Sequence, residues 1–112
     1  DIISNKFIWD ENGFAIGYEK PVIHVFNKDE TVLKNFPEIH DKIEKRKNVI
    51  LLGDSLGDPH MVDGFEYKNL IKIGFLNEKE SALLENYKEK YDLIITGDGD
   101  FSVINEIMES IK

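Results

Sequence analysis

Apolar and polar residues follow one another along the chain in a pattern that predicts strands and helices in turn. Residues 2–9 and 14–18 are apolar runs separated by an Asp-Glu-Asn-Gly turn, which predicts a β-hairpin. Residues 22–26 (VIHVF) predict a third strand. A helical stretch follows over about 30–47, and Pro37 favours its division into two short helices, because proline interrupts an α-helix from within.

Strands and helices alternate regularly from residue 48 onward. Strands are predicted over 48–52, 70–76 and 93–96. Helices are predicted over 59–62, from 77 or 78 to about 90, and over 101–111. This alternation indicates a parallel sheet with crossover helices. The predicted fold class is therefore α/β, as part of a doubly wound, Rossmann-type parallel sheet with a β-hairpin near the N-terminus.

Composition narrows the class of protein. The chain has 112 residues, which is at most one domain, and 41% of them are hydrophobic. A net charge of −8 disfavours a nucleic-acid polymer as partner, since phosphate backbones need clustered Lys and Arg. A charged fraction of 32% and the absence of a long apolar run argue against a membrane protein. No cysteine is present, which excludes disulfides, thiolate metal sites and cysteine nucleophiles.

An acidic, glycine-punctuated segment (GDSLGD, 53–58) follows the predicted buried strand at once. Asp54 and Asp58 supply hard carboxylate oxygens at the carboxyl end of that strand, where α/β folds bind ligands, so the segment predicts an Mg²⁺ site. Ser55 is a further candidate, for a hydrogen bond to an Asp or to a phosphate oxygen, and its alternative is a local turn bond. We expect Gly53 and Gly57 to permit a close backbone approach or a positive φ. The alternative is a turn in which both acids cap the next short helix.

Lys28 is a second candidate, because it follows the predicted strand 22–26 at its carboxyl end. If the strands are parallel, that position shares a sheet edge with Asp54. A lysine there would neutralise a phosphoryl group and nearby carboxylates. The alternative is an ordinary surface lysine.

Asp98 and Asp100 imitate the Asp-x-Asp pair of an aspartyl nucleophile and its acid/base partner. Gly97 separates the strand from the first acid, and the pair comes after the GDSLGD segment rather than before it. Asp100 is also well placed to cap the final helix. We therefore predict a structural role for the pair. The three histidines have no mutual metal-ligand spacing, and we expect none of them to be a ligand: His24, His40 and His60.

GDSLGD after an apolar strand resembles motif IV of the haloacid dehalogenase superfamily of phosphatases. The resemblance extends through the hairpin to VIHVFNK, and through NVILLGDSLGD, MVDG, LIKIGFLN and Tyr91-Asp92. Over essentially all 112 residues the chain resembles the C-terminal half of the cytosolic 5′-nucleotidase III family, which comprises pyrimidine and 7-methylguanosine-phosphate-specific 5′-nucleotidases.

The resemblance implies Mg²⁺-dependent hydrolysis of nucleoside 5′-monophosphates through an aspartyl-phosphate, in the cytoplasm. Lys28 matches the motif III lysine that stabilises the phosphoaspartate. Asp54 matches the direct Mg²⁺ ligand, and Asp58 matches a ligand or a residue that holds a metal-bound water. Ser55 lies in the same motif.

The family's nucleophile, its acid/base aspartate, its motif II serine and its helical cap have no counterpart here. Residues 1–112 are therefore predicted to be the C-terminal part of a phosphatase core domain, inactive alone and partnered by the missing half or by a second copy. Three alternatives remain open. They are another phosphatase of the superfamily, acting on a sugar phosphate or phosphoserine, a non-catalytic acidic metal-binding or interaction module, and a permuted enzyme that uses Asp98 and Asp100.

Overall fold

The computed structural model describes residues 2–24, 27, 35–77 and 82–111. Its strands are β1 (Phe7–Trp9), β2 (Ala15–Tyr18), β3 (Asn48–Gly53), β4 (Asn69–Leu76) and β5 (Leu93–Thr96). Its helices are α1 (Pro37–Glu44), α2 (Leu84–Lys90) and α3 (Ser102–Ser110), with a 3₁₀ helix over Asp58–Val62. Strands β1 and β2 form a two-stranded sheet, and β3, β4 and β5 form a parallel sheet in that order. The α/β class is confirmed.

The chain divides into two compact units. The first comprises residues 1–49 and 60–69, and the second comprises residues 50–59 and 70–112. The hairpin and α1 belong to the first unit, and α2, β5 and α3 belong to the second. No helix in the described ranges is long and apolar enough to cross a membrane.

The predicted hairpin is confirmed, with shorter strands than the apolar runs indicated. Its strands pair antiparallel, from Phe7 opposite Tyr18. The turn is held by the Asp10 carboxylate, which accepts hydrogen bonds from the backbone N–H of Asn12 (2.9 Å) and Phe14 (2.8 Å). Gly13 has a φ of +82°, which the missing side chain permits. The Asn-Gly signal therefore located the turn correctly.

The predicted strand over 22–26 is wrong for residues 22–24, which are irregular, and residues 25 and 26 lie outside the described ranges. The Asn5 side chain takes both main-chain groups of Ile23, donating to its carbonyl (2.8 Å) and accepting from its N–H (2.7 Å). An amide side chain thus satisfies the groups that a strand neighbour would otherwise bind.

Two helix predictions need correction at their starts. Helix α1 begins at Pro37, in its first turn. Proline is tolerated there because backbone N–H groups of the first turn have no partner within the helix. The first half of the predicted helix over 30–47 falls mostly on residues outside the described ranges. Helix α2 begins at Leu84, later than predicted: Asn77 is not helical, and residues 78–81 are not described. The predicted 59–62 and 101–111 helices are confirmed within one or two residues.

The second unit contains the main core. Strands β4 and β5 pair in parallel, from Ile73 with Leu93 to Leu76 with Thr96. Asp92 aligns the start of β5, because its carboxylate accepts from the Lys72 N–H (2.8 Å) while its own N–H donates to the Lys72 carbonyl (2.9 Å). Among the described residues, the buried hydrophobic ones are Leu51, Ile73, Leu76, Tyr87, Tyr91 and Ile104. This core supports the carboxyl end of β3, where the acidic segment begins.

Candidate functional site

The acidic loop, residues 54–57, connects the end of β3 to the 3₁₀ helix. Asp58 is 6% exposed, and its Oδ2 atom accepts hydrogen bonds from the backbone N–H of Asp54 (2.9 Å) and of Ser55 (3.0 Å). Asp54 is exposed, whereas Ser55 is half-buried. The two acids therefore do different things. Asp58 is buried and binds the backbone at the start of the loop, whereas Asp54 is exposed to solvent.

Two tyrosines hold the loop from the side of α2. The Tyr87 hydroxyl donates to the carbonyl oxygen of Asp54 (2.6 Å), and the Tyr91 hydroxyl donates to that of Ser55 (2.5 Å). Their spacing of four residues puts both on one side of the helix end. Their rings stack with centroids 5.4 Å apart, and both residues are buried. Main-chain carbonyls of the loop thus have buried donors.

Two glycines make room for this arrangement. A Cβ atom on Gly53 would lie 2.5 Å from the Cβ of Asp58 and 2.6 Å from the Tyr91 hydroxyl. A Cβ atom on Gly74, in β4, would lie 2.8 Å from the Tyr91 ring. The close approach expected at Gly53 is confirmed, and Gly74 does the same for the tyrosine rings.

Burial raises the pKa of Tyr91 above its ordinary value, and the charges of Asp58, Tyr87 and Asp54 add to the shift. The unfolded chain releases this proton near pH ~10, while the folded protein retains it. The contribution to stability is therefore complete below about pH 10 and is lost as the pH rises further. We expect the unfolding midpoint to fall more steeply between about pH 9 and 11 in the wild type than in Tyr91→Phe, as followed by circular dichroism. Parallel pH profiles would contradict this expectation.

The structure brings together three of the four predicted site residues at the carboxyl end of β3: Asp54 and Ser55 lie in the acidic loop, and Asp58 directly follows it and binds it. Lys28 lies outside the described residues, so its place at this edge of the sheet stays a prediction.

Asp98 and Asp100 lie in the turn between β5 and α3. Asp98 is exposed and has a φ of +53° directly after Gly97 at +66°. The Asp100 carboxylate accepts a hydrogen bond from the N–H of Ser102 (2.9 Å), the first residue of α3, and hydrogen bonding from Ser102 lowers the pKa of Asp100. Asp100 therefore binds the start of the helix, as predicted, but from the residue before the N-cap, which is Phe101.

The three histidines belong to the first unit, whereas the acidic loop belongs to the second. His60 Nδ1 lies 2.8 Å from Asp63 Oδ2. His40, Asp41 and Glu44 on α1 each place one possible ligand atom within 4.8 Å of the others, beside a cavity that Val49 also lines. Clusters of exposed acidic side chains are common in proteins without a bound ion, so this geometry alone does not indicate a metal site.

Sequence reasoning missed Tyr87, Tyr91 and Gly74 as parts of the site. Two signals were available. Tyrosines four residues apart at the end of a helix share a face, and a glycine inside an apolar strand often marks a close backbone approach. Neither signal names the loop that these residues contact, because the contacts span 33 and 36 residues of sequence.

Known proteins match this chain over its whole length. The family model described as "Pyrimidine 5′-nucleotidase (UMPH-1)" matches residues 1–112. The chain is 40% identical over 111 residues to 7-methylguanosine phosphate-specific 5′-nucleotidase B of Xenopus laevis, covering 98% of this chain and 38% of that protein. The human 7-methylguanosine phosphate-specific 5′-nucleotidase is 38% identical over 111 residues, covering 98% of this chain and 37% of that protein.

A solved structure agrees with the sequence matches. The crystal structure of cytosolic 5′-nucleotidase IIIB bound to cytidine superposes with a TM-score of 0.79 at 30% identity, covering 100% of this chain and 40% of that one. The chain therefore spans about two fifths of the length of the relatives it matches. The resemblance noted in the sequence is confirmed, and the chain belongs to the pyrimidine 5′-nucleotidase (UMPH-1) family, among the cytosolic 5′-nucleotidases III.

Proposed function

We propose that the complete protein containing this chain is a Mg²⁺-dependent phosphatase of the haloacid dehalogenase type that hydrolyses nucleoside 5′-monophosphates. Residues 1–112 would form the C-terminal part of its core domain. The observation that carries this proposal is the acidic loop. Asp54 is exposed at the carboxyl end of a parallel strand, and Asp58 holds the backbone there through two N–H groups. Hard carboxylate oxygens in such a position suit Mg²⁺, which in turn binds the oxygens of a phosphate ester.

Asp54 and Asp58 would hold the metal in different ways. Asp54 fits a direct ligand, because its side chain is exposed. Asp58 already binds two backbone N–H groups through one oxygen, so it fits an outer position that shapes the loop and adds negative charge. When bound, Mg²⁺ would neutralise charge on the phosphate oxygens. Ser55 and Lys28 are the proposed contacts to the phosphate, Lys28 through its cation.

The nucleophile of the proposed aspartyl-phosphate would come from a segment outside residues 1–112. Asp100 is a poor candidate for it, since its carboxylate binds the start of α3. The chain by itself is therefore proposed to be inactive and to work together with the rest of the protein. A self-dimer of the chain is the alternative partner.

Names of relatives support the substrate class and the compartment. Two of them are named for 7-methylguanosine phosphate, and the solved relative binds cytidine and is called cytosolic. We propose a nucleoside monophosphate substrate and a cytoplasmic location on that basis.

The test is phosphate release from UMP, CMP and 7-methyl-GMP, with and without Mg²⁺, by the complete protein and by residues 1–112 alone. We expect Mg²⁺-dependent release by the complete protein and none by the isolated chain. Faster release from a sugar phosphate or phosphoserine would support another phosphatase of the superfamily. No release from any ester by the complete protein would favour a non-catalytic module. Release by the isolated chain would contradict the proposed division of the site.

A further inference from the structure

Main-chain atoms on both sides of Ser55 are held by buried side chains. We propose that Tyr87 and Tyr91 are positioning residues that aim the Asp54 carboxylate at the metal; this inference rests on the proposed function. Their hydroxyls bind the carbonyl oxygens of Asp54 and Ser55 at 2.6 Å and 2.5 Å. Neither tyrosine contacts the metal in this proposal, and each acts through the backbone.

Three successive peptide groups around Asp54 are held by hydrogen bonds. Asp58 binds the N–H groups of Asp54 and Ser55, which belong to the peptides 53–54 and 54–55. Tyr87 binds the carbonyl of the peptide 54–55, and Tyr91 binds that of the peptide 55–56. Each peptide is planar, so fixing the planes on both sides of Asp54 also fixes its φ and ψ. The direction of its Cα–Cβ bond is then set, and only the side-chain torsions remain free.

The peptide 54–55 is held at both ends, from Asp58 on one side and from Tyr87 on the other. Without the tyrosine hydroxyls this peptide would still be attached to Asp58 by its N–H, but its carbonyl could tilt. A tilt of this plane would swing the Asp54 carboxylate away from the position where it meets the metal. Phenylalanine would fill the same core space, so burial alone does not explain the two hydroxyl groups.

The tyrosines are suited to remain donors. They are 1% and 5% exposed, and their rings stack on each other over Gly74. A charged donor such as lysine would instead compete with Mg²⁺ for the two aspartates.

The experiment uses Tyr87→Phe, Tyr91→Phe and the double variant of the complete protein. Mn²⁺ serves as the probe, because carboxylate sites accept it and its binding is followed directly by electron paramagnetic resonance. We expect the double variant to bind Mn²⁺ about tenfold more weakly, as replacement of residues that orient metal ligands commonly does. The Mg²⁺ concentration for half-maximal phosphate release should rise by a similar factor, with kcat at saturating Mg²⁺ changed much less.

The control is Tyr67→Phe, which removes a hydroxyl from a tyrosine 46% exposed in the first unit. It should bind Mn²⁺ as the wild type does. Circular dichroism establishes that each variant is folded. Folded double-variant protein with wild-type Mn²⁺ affinity would overturn the inference, even if its unfolding midpoint were lower, because that result describes a purely structural pair. A wild-type protein that neither binds Mn²⁺ nor releases phosphate would overturn the proposed function and this inference together.

Discussion

Asp54→Asn in the complete protein is expected to lower Mg²⁺-dependent phosphate release by about 100-fold to 1,000-fold. The substitution keeps the size of the side chain and removes the charge that would bind the cation. It also leaves the loop intact, since Asp58, Tyr87 and Tyr91 hydrogen-bond only main-chain atoms at this position and the next. Asp58 accepts from the N–H groups, and the two tyrosine hydroxyls donate to the carbonyls. The measurement is the initial rate of phosphate release from UMP, CMP and 7-methyl-GMP over a range of Mg²⁺ concentrations.

Asp98→Asn is the matched control. Asp98 is exposed with a φ of +53°, a conformation that asparagine also adopts readily, so the backbone should be unaffected. Turnover close to wild type is expected for this variant and for Asp100→Asn. A loss of several orders of magnitude in either would restore the permuted enzyme, with Asp98 and Asp100 as its nucleophile pair. An unchanged rate in Asp54→Asn at saturating Mg²⁺ would remove Asp54 from the site.

Gly53→Ala is expected to destabilise the protein by about 1–3 kcal/mol, which is the usual cost of forcing extra volume into a packed region. The new methyl group would meet the Asp58 Cβ at 2.5 Å and the Tyr91 hydroxyl at 2.6 Å. Relief requires moving one of the two residues that hold the loop. Metal binding should therefore weaken together with the unfolding midpoint, as measured by circular dichroism and by Mn²⁺ titration.

Gly17→Ala tests whether the effect is specific to the loop. A Cβ at Gly17, in the hairpin, would meet only the Ile8 side chain at 3.9 Å, which is ordinary contact. We expect a change within about 0.5 kcal/mol in the free energy of unfolding and unchanged Mn²⁺ affinity. Equal destabilisation by both substitutions would mean that the crowding at Gly53 relaxes at little cost, and would contradict the rigid loop described here.

The sequence was sufficient for elements whose identity depends on nearby residues. The apolar run 70–76 became β4, the run 93–96 became β5, and the Asn-Gly turn became a hairpin. The acids of the loop were also found, because a buried strand followed by glycines and carboxylates is a local pattern. The strand predicted for residues 22–24 is wrong because their structure depends on a distant residue. The N–H and carbonyl of Ile23 are bound by the side chain of Asn5, 18 residues away.

The structural difference between the two acids could not be predicted from residue type and spacing. Both are acids next to glycines, and only the resemblance to the family assigned Asp54 and Asp58 different roles. The distinction arises because Asp58 is buried and accepts hydrogen bonds from the N–H groups of Asp54 and Ser55. The loop carbonyls are bound by Tyr87 in α2 and by Tyr91 directly after it. These tyrosine contacts join segments more than 30 residues apart, so periodicity within one helix identifies Tyr87 only as a residue of the buried face.

Because the loop is anchored through main-chain atoms, its shape is separable from its chemistry. Every residue except proline offers the same N–H and carbonyl groups, so the side chains at positions 54 and 55 can change without redirecting the backbone. Substitutions at positions 54 and 55 would therefore change the side chains at this edge of the sheet while Asp58, Tyr87 and Tyr91 keep the backbone in place. For protein engineering, the same property makes the loop a scaffold on which a different donor at position 54 would inherit a defined direction.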